Sequence, residues 1–138
     1  MATERAWANK ISDRVYFAGR TPYERVPDLL AAADVFVSAS VTEVHPLVVM
    51  EAMAAGLPAI GVNSPGVRDI IEDSKTGYLT AEDCDELATR MLELARERPL
   101  LEKLADSARE AAAGHDISIA VDLLVAEYER LAAASDRE

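Results

Sequence analysis

A chain of 138 residues, half of them hydrophobic, is one domain by length and has enough apolar content to bury a core. Its formal net charge of −11 argues against nucleic acid, whose phosphates need a basic footprint. No segment reaches the apolar length of a membrane span and MATERAWANK lacks a signal-peptide apolar region, while the single Cys84 can make no internal disulfide. Together these point to a cytoplasmic chain.

In chain order, residues 1 to 14 are polar around a lone Trp7 and predict a short helix. Val15 to Gly19 is a short β-rich run ending in glycine, a first strand. Pro22 to Ala33 predicts a helix with Thr21 as N-cap, and Pro27 would kink or restart it. Asp34 to Ala39 is nearly all apolar, a second strand buried on both faces of a parallel sheet. After a loop, Pro46 suits the first position of a helix that closes at Gly56-Leu57-Pro58, where glycine fits a left-handed cap.

Ala59 to Val62 is a third strand, Asn63 to Gly66 a turn, Val67 to Glu72 a short helix and Gly77 to Thr80 a fourth strand. Three helices follow, Asp83 to Arg98, Leu100 to Ala113 and Ile117 to Ala134. Strands alternating with helices mean βαβ units, so the fold is α/β. It is a Rossmann-like parallel sheet of about four strands, with residues 81 to 138 as an all-helical tail of the same single domain. Ligands of such sheets bind outside the carboxyl ends of the strands. The polar clusters Gly19-Arg20-Thr21, Ser38 to His45 and Asn63 to Gly66 all fall at such ends.

Within Ser38 to Pro58, two carboxylates flank a helix mouth: Glu43 in the loop and Glu51 one turn into the helix. The mouth offers unpaired backbone N–H groups and the positive end of the helix dipole, which favour a phosphate. A hydroxyl-rich ligand with phosphate in its middle fits, with one carboxylate accepting from hydroxyls on each side. Taken singly, each acid reads as an ordinary surface residue; the pair carries the functional reading.

The same stretch resembles the E-x7-E signature of retaining glycosyltransferases of the GT-B fold, family 4 or group 1. The chain supplies Ser40, Glu43, Leu47, Val48, Glu51, Ala52, Met53, Ala54, Gly56 and Pro58 of the pattern, and departs from it at His45 and Pro46, where Phe-Gly is commoner. Val15 to Gly19 looks like the family's V-x-F-x-G strand, and Asp73 to Leu79 like its D-G-x-T-G-x-L turn. The resemblance implies that Glu43, with His45 and Pro46, contacts the donor sugar, that Leu47, Val48 and Arg20 meet the diphosphate, and that Glu51 holds the nucleotide ribose. His45 alone reads first as a packing substitute for the family's aromatic. Neither carboxylate is required as a general base, no catalytic residue is singled out, and no cofactor or metal ion is implied beyond the nucleotide-diphosphate sugar itself.

The match covers only the latter part of the family's C-terminal donor-binding domain. The family's acceptor-binding N-terminal domain and its Arg and Lys diphosphate clamp have no counterpart in these residues. The chain is therefore expected to bind a donor and, alone, not to transfer the sugar. The alternatives are a degenerate or split domain acting as an assembly module, and an epimerase-like enzyme of the same fold. Membrane association of a full enzyme is not encoded here. Right-handed crossovers among four strands place their helices on one face of the sheet. The opposite face is then covered by the C-terminal helices or by another chain, and a homodimer or the missing N-terminal half is the expected partner.

Overall fold

A computed structural model describes residues 11–135, and the helix expected over residues 1 to 14 lies largely outside them. The short turn Ser12–Arg14 is the described part of that segment. The first helix, α1, runs Val26–Ala31, entered through a 3-10 turn at Tyr23–Arg25. Strands β1 (Phe36–Ser38), β2 (Ala59–Val62) and β3 (Gly77–Thr80) alternate with α2 (Leu47–Ala54) and the short α3 (Pro65–Arg68). Helices α4 (Cys84–Arg96), α5 (Arg98–Ala113) and α6 (Ile117–Ser135) complete the chain.

The sheet is parallel in the order β1-β2-β3, with Phe36 opposite Ala59 and Ala59 opposite Gly77. The fold is α/β and Rossmann-like, as the alternation requires, but with three strands among the described residues rather than about four. Val15 to Gly19 does not pair. A strand exists by its ladder partner, and this run has none among the described residues, leaving Tyr16 87% exposed. The second expected strand is shortened to Phe36–Ser38 and only half-buried, because β1 is an edge of the sheet. Strands β2 and β3 keep their expected bounds, since each is an apolar run closed at both ends by turn residues.

Helix boundaries shift by physically readable amounts. Restart near Pro27 is realised, with proline accommodated in the first turn of α1, while Thr21 caps nothing. Pro46 stands at the N-cap of α2 rather than inside it, because its ψ of 87° is not helical. The helix expected over Val67 to Glu72 is α3, which starts earlier at Pro65 and ends at Arg68. Gly56, at φ 84°, closes α2: its N–H donates to Met53 O and that of Leu57 to Ala52 O, a paired closure that needs the left-handed residue. Asp83 caps α4 by accepting from the N–H groups of Asp85 and Glu86.

Two cores lie on the two faces of the sheet. On one, Val49 and Met53 of α2 pack with Val67, Ile70 and Ile71 over Ala59, joined by Ala108 of α5. On the other, Leu94 of α4 and Leu101 and Leu104 of α5 pack over Ile60 and Tyr78. Both crossover helices, α2 and α3, thus share a face, as right-handed connections demand. The opposite face is covered by the chain's own α4 and α5, and α5 contributes to both cores. The Arg90 guanidinium lies 4.5 Å from the centre of the Tyr78 ring and closes the rim of that second core. In contrast, α6 buries none of its described side chains. Of the C-terminal helices expected to cover the sheet, α4 and α5 do so and α6 does not.

Candidate functional site

The chain leaves β1 at Ser38 and reaches α2 through a loop held by short polar contacts. The Ser40 N–H donates to Ser38 Oγ at 3.3 Å, and the Ser40 hydroxyl to Glu43 Oε1 at 3.0 Å. The loop is also tied to the next strand end: the Gly66 N–H donates to Glu43 O at 3.2 Å. A Cβ on Gly66 would lie 2.5 Å from Glu43 O and 2.4 Å from Val44 O, so only glycine lets the two loops approach this closely. From sequence, the turn Asn63 to Gly66 read equally as a site wall or a bare turn; it is the backbone support of the Glu43 loop. Beside it, the Ser64 hydroxyl is buried with no hydrogen-bond partner among the described residues.

Pro46 is buried beneath this loop, and His45 is exposed. Behind Pro46, the Val49 N–H bonds back to Pro46 O at 3.0 Å. The N–H groups of Leu47 and Val48 come ahead of that first bond and belong to the orphan donors of the helix start. Both side chains are exposed, so the mouth is open to solvent. An anion placed there would meet backbone donors and the positive end of the dipole.

Glu51 sits one turn further along α2, half-buried, and Tyr23 finds it from the turn before α1. The Tyr23 hydroxyl donates to Glu51 Oε1 at 2.6 Å. That hydrogen bond and the negative charge of Glu51 raise the Tyr23 hydroxyl above its ordinary pKa, so it remains a donor at neutral pH. The two residues line a cavity of about 500 Å³ with Glu24, Val26, Pro27, Leu30, Ala54 and Ala55. No local pattern marks Tyr23, because its partner is 28 residues away.

The remaining basic candidates are dispersed. Arg20 is exposed and lines a separate hollow with Tyr16, Ala18, Thr21, Pro22, Arg25 and Leu29, apart from both carboxylates. Arg68 is exposed at the end of α3, and Lys75 is paired to Glu72 at 2.7 Å. The turn at Asp73 to Gly77 is built as its motif requires, with the Leu79 N–H donating to Asp73 Oδ1 at 2.9 Å. Ser74 adopts φ 62° there, which explains why glycine is the common residue at that place. Among the described residues, no helix is long and apolar enough to cross a membrane.

Comparison with known proteins agrees with this construction. Residues 1–111 match the family model of glycosyl transferases group 1. The chain is 35% identical over 102 residues to N-acetyl-alpha-D-glucosaminyl L-malate synthase of Bacillus anthracis, covering 73% of this chain and 26% of that protein. It is 30% identical over 128 residues to a GDP-mannose-dependent alpha-mannosyltransferase of Mycobacterium tuberculosis, covering 91% of this chain and 33% of the other. The chain spans about a quarter to a third of the length of these curated relatives. Among solved structures, Anabaena Alr3699/HepE in complex with UDP superposes with a TM-score of 0.83 at 23% identity, over 94% of this chain and 35% of that one. The fold is that of the latter part of the GT-B C-terminal domain, and the chain belongs to the group 1 glycosyltransferase family.

Proposed function

We propose that this chain binds the nucleotide-diphosphate sugar donor of a hexosyltransferase at the loop and helix that follow β1. The diphosphate meets the N–H groups of Leu47 and Val48, Glu43 with His45 faces the sugar hydroxyls over the buried Pro46, and Glu51 accepts from the ribose. The observation that carries this reading is an open helix start at Leu47 with one carboxylate, Glu43, in the loop before it and another, Glu51, on the helix after it, within a sequence that matches the family. A relative that is GDP-mannose-dependent and a fold neighbour held with UDP support a nucleoside diphosphate as the common part of the ligand.

Binding needs no metal ion in this reading, because backbone donors and the helix dipole supply the positive potential. Affinity for the donor is then unchanged by a chelator. The chain alone holds the donor without transferring the sugar. An exposed free thiol, Cys84, suits a reducing compartment such as the cytoplasm.

Calorimetric titration with UDP, UDP-glucose, GDP and GDP-mannose tests the assignment. Glu51→Ala weakens the nucleotide and its sugar conjugate alike, and Glu43→Ala weakens only the conjugate. Each loss is about 1.5–3 kcal/mol, the worth of a hydrogen bond to a charged group. Equal losses for both ligands in both variants would refute the division of roles.

A further inference from the structure

Resting on the reading of Glu51 as the ribose acceptor, we infer that Tyr23 is a positioning residue for that carboxylate. It holds Glu51 Oε1 so that the second oxygen is presented to a vicinal diol.

The geometry carries this in three steps. A glutamate on a helix has several rotatable bonds, and an unrestrained one gives up that freedom when a ligand engages it. Here the 2.6 Å bond from the Tyr23 hydroxyl fixes one oxygen before any ligand arrives. Oε2 of Glu51 accepts no hydrogen bond among the described residues, so it is left to take a hydroxyl proton. The surroundings sharpen the effect: apart from Tyr23, Glu24 and Glu51, the cavity wall is Val26, Pro27, Leu30, Ala54 and Ala55, none of which competes for the carboxylate through its side chain.

The arrangement does little for stability. Tyr23 is 72% exposed, so removing its hydroxyl opens no cavity, and the acceptor it leaves, Glu51 Oε1, sits in an exposed bond that water can replace. A contact that contributes little to folding yet fixes a candidate ligand-binding group is understood as pre-organisation. It also ties the segment before α1 to the recognition helix, across 28 residues of sequence.

The test is a double-mutant cycle on the full chain, read by calorimetry with UDP and GDP and with their 2′,3′-dideoxy counterparts. Tyr23→Phe keeps the ring and removes only the hydroxyl. It is expected to weaken the tighter-binding diphosphate about three- to tenfold, the effect of releasing one rotamer-rich side chain. It should leave the melting temperature unchanged, cause no further loss in a Glu51→Ala background, and leave affinity for the dideoxy ligand unaltered. A purely structural role would lower affinity for both ligands, so equal losses, or additive losses in the cycle, overturn the inference. If Glu51→Ala leaves diphosphate affinity intact while Tyr23→Phe lowers it, the ribose assignment of Glu51 is what fails. If neither diphosphate binds, the donor-site reading fails first and the inference with it.

Discussion

Helices α5 and α6 are neighbours in sequence and similar in length, 16 and 19 residues, yet one is packed and the other bare. In α5 the apolar residues Leu101, Leu104 and Ala108 recur on one stripe, and that stripe lies on the sheet. In α6 Ile117, Val121, Leu124, Val125, Tyr128 and Leu131 form a comparable stripe, but Ile119 and Leu123 widen it and all stay exposed, Ile117 at 76% and Leu123 at 68%. A periodic pattern states that a helix needs cover. It does not state what supplies it. Because α4 and α5 have already taken the open face of the sheet, α6 has no place left on this body. An exposed apolar surface of this kind marks an interaction site; of the two expected occupants, a second copy of the chain or the N-terminal half of an enzyme, we propose the pairing of two copies as the one to test.

The contrast can be broken most forcefully in the cores. Leu104→Ala removes a side chain with no exposed surface and should cost about 2–5 kcal/mol in urea unfolding. In the monomeric chain, Leu124→Ala in α6 should stay within about 0.5 kcal/mol. A comparable loss at Leu124 would mean that α6 is covered in solution. Light scattering at micromolar concentration then examines the proposed pairing: Leu124→Glu with Leu131→Glu should convert a dimer to a monomer. A wild-type chain that is monomeric throughout ends that proposal.

A smaller effect is expected at the junction. Gly114 has φ −70°, and an added Cβ would meet only Ala111 O at 3.3 Å, a tight approach that a small shift relieves. Gly114→Ala should therefore stabilise by about 0.4–1 kcal/mol, through a less flexible unfolded chain; a loss instead would show that the junction cannot give.

The gentlest probe is pH at the start of α6. Asp116 accepts from the Ser118 hydroxyl at 2.6 Å and from the Ser118 N–H at 2.8 Å, which lower its carboxyl below the ordinary value, the side-chain bond most. A folded value below the unfolded one gives stabilisation that is whole above the unfolded value and lost as pH falls through the folded one. Helical signal from α6 should therefore fade on acidification below about pH 4, and Asp116→Asn should remove that dependence. An unchanged acid profile in the variant would mean that the cap does not titrate as described.

What the sequence made legible follows the range of the interactions. Strands β2 and β3 are signalled by their own residues and their flanking turns, and the Gly56 closure of α2 is a local backbone event. The failed strand at Val15 to Gly19 has the right composition, but pairing is a property of two segments. The coupling of Gly66 to Glu43 and of Tyr23 to Glu51 is likewise invisible to spacing along one element. Local chemistry named the carboxylates, while distant residues decide how firmly each is held.

The packing of α2 against α5 has a consequence for how the chain is made. Met53 and Ala108 share a core, so the helix that carries Glu51 is buttressed by one synthesised much later. Non-local contacts of this kind are formed late because their loop-closure entropy must be met first. A chain emerging from the ribosome therefore displays Glu51 before it owns the helix that buttresses α2. Until Ala113 is clear of the exit tunnel, the parts of both cores that α5 covers lie open to chaperones or to other nascent chains.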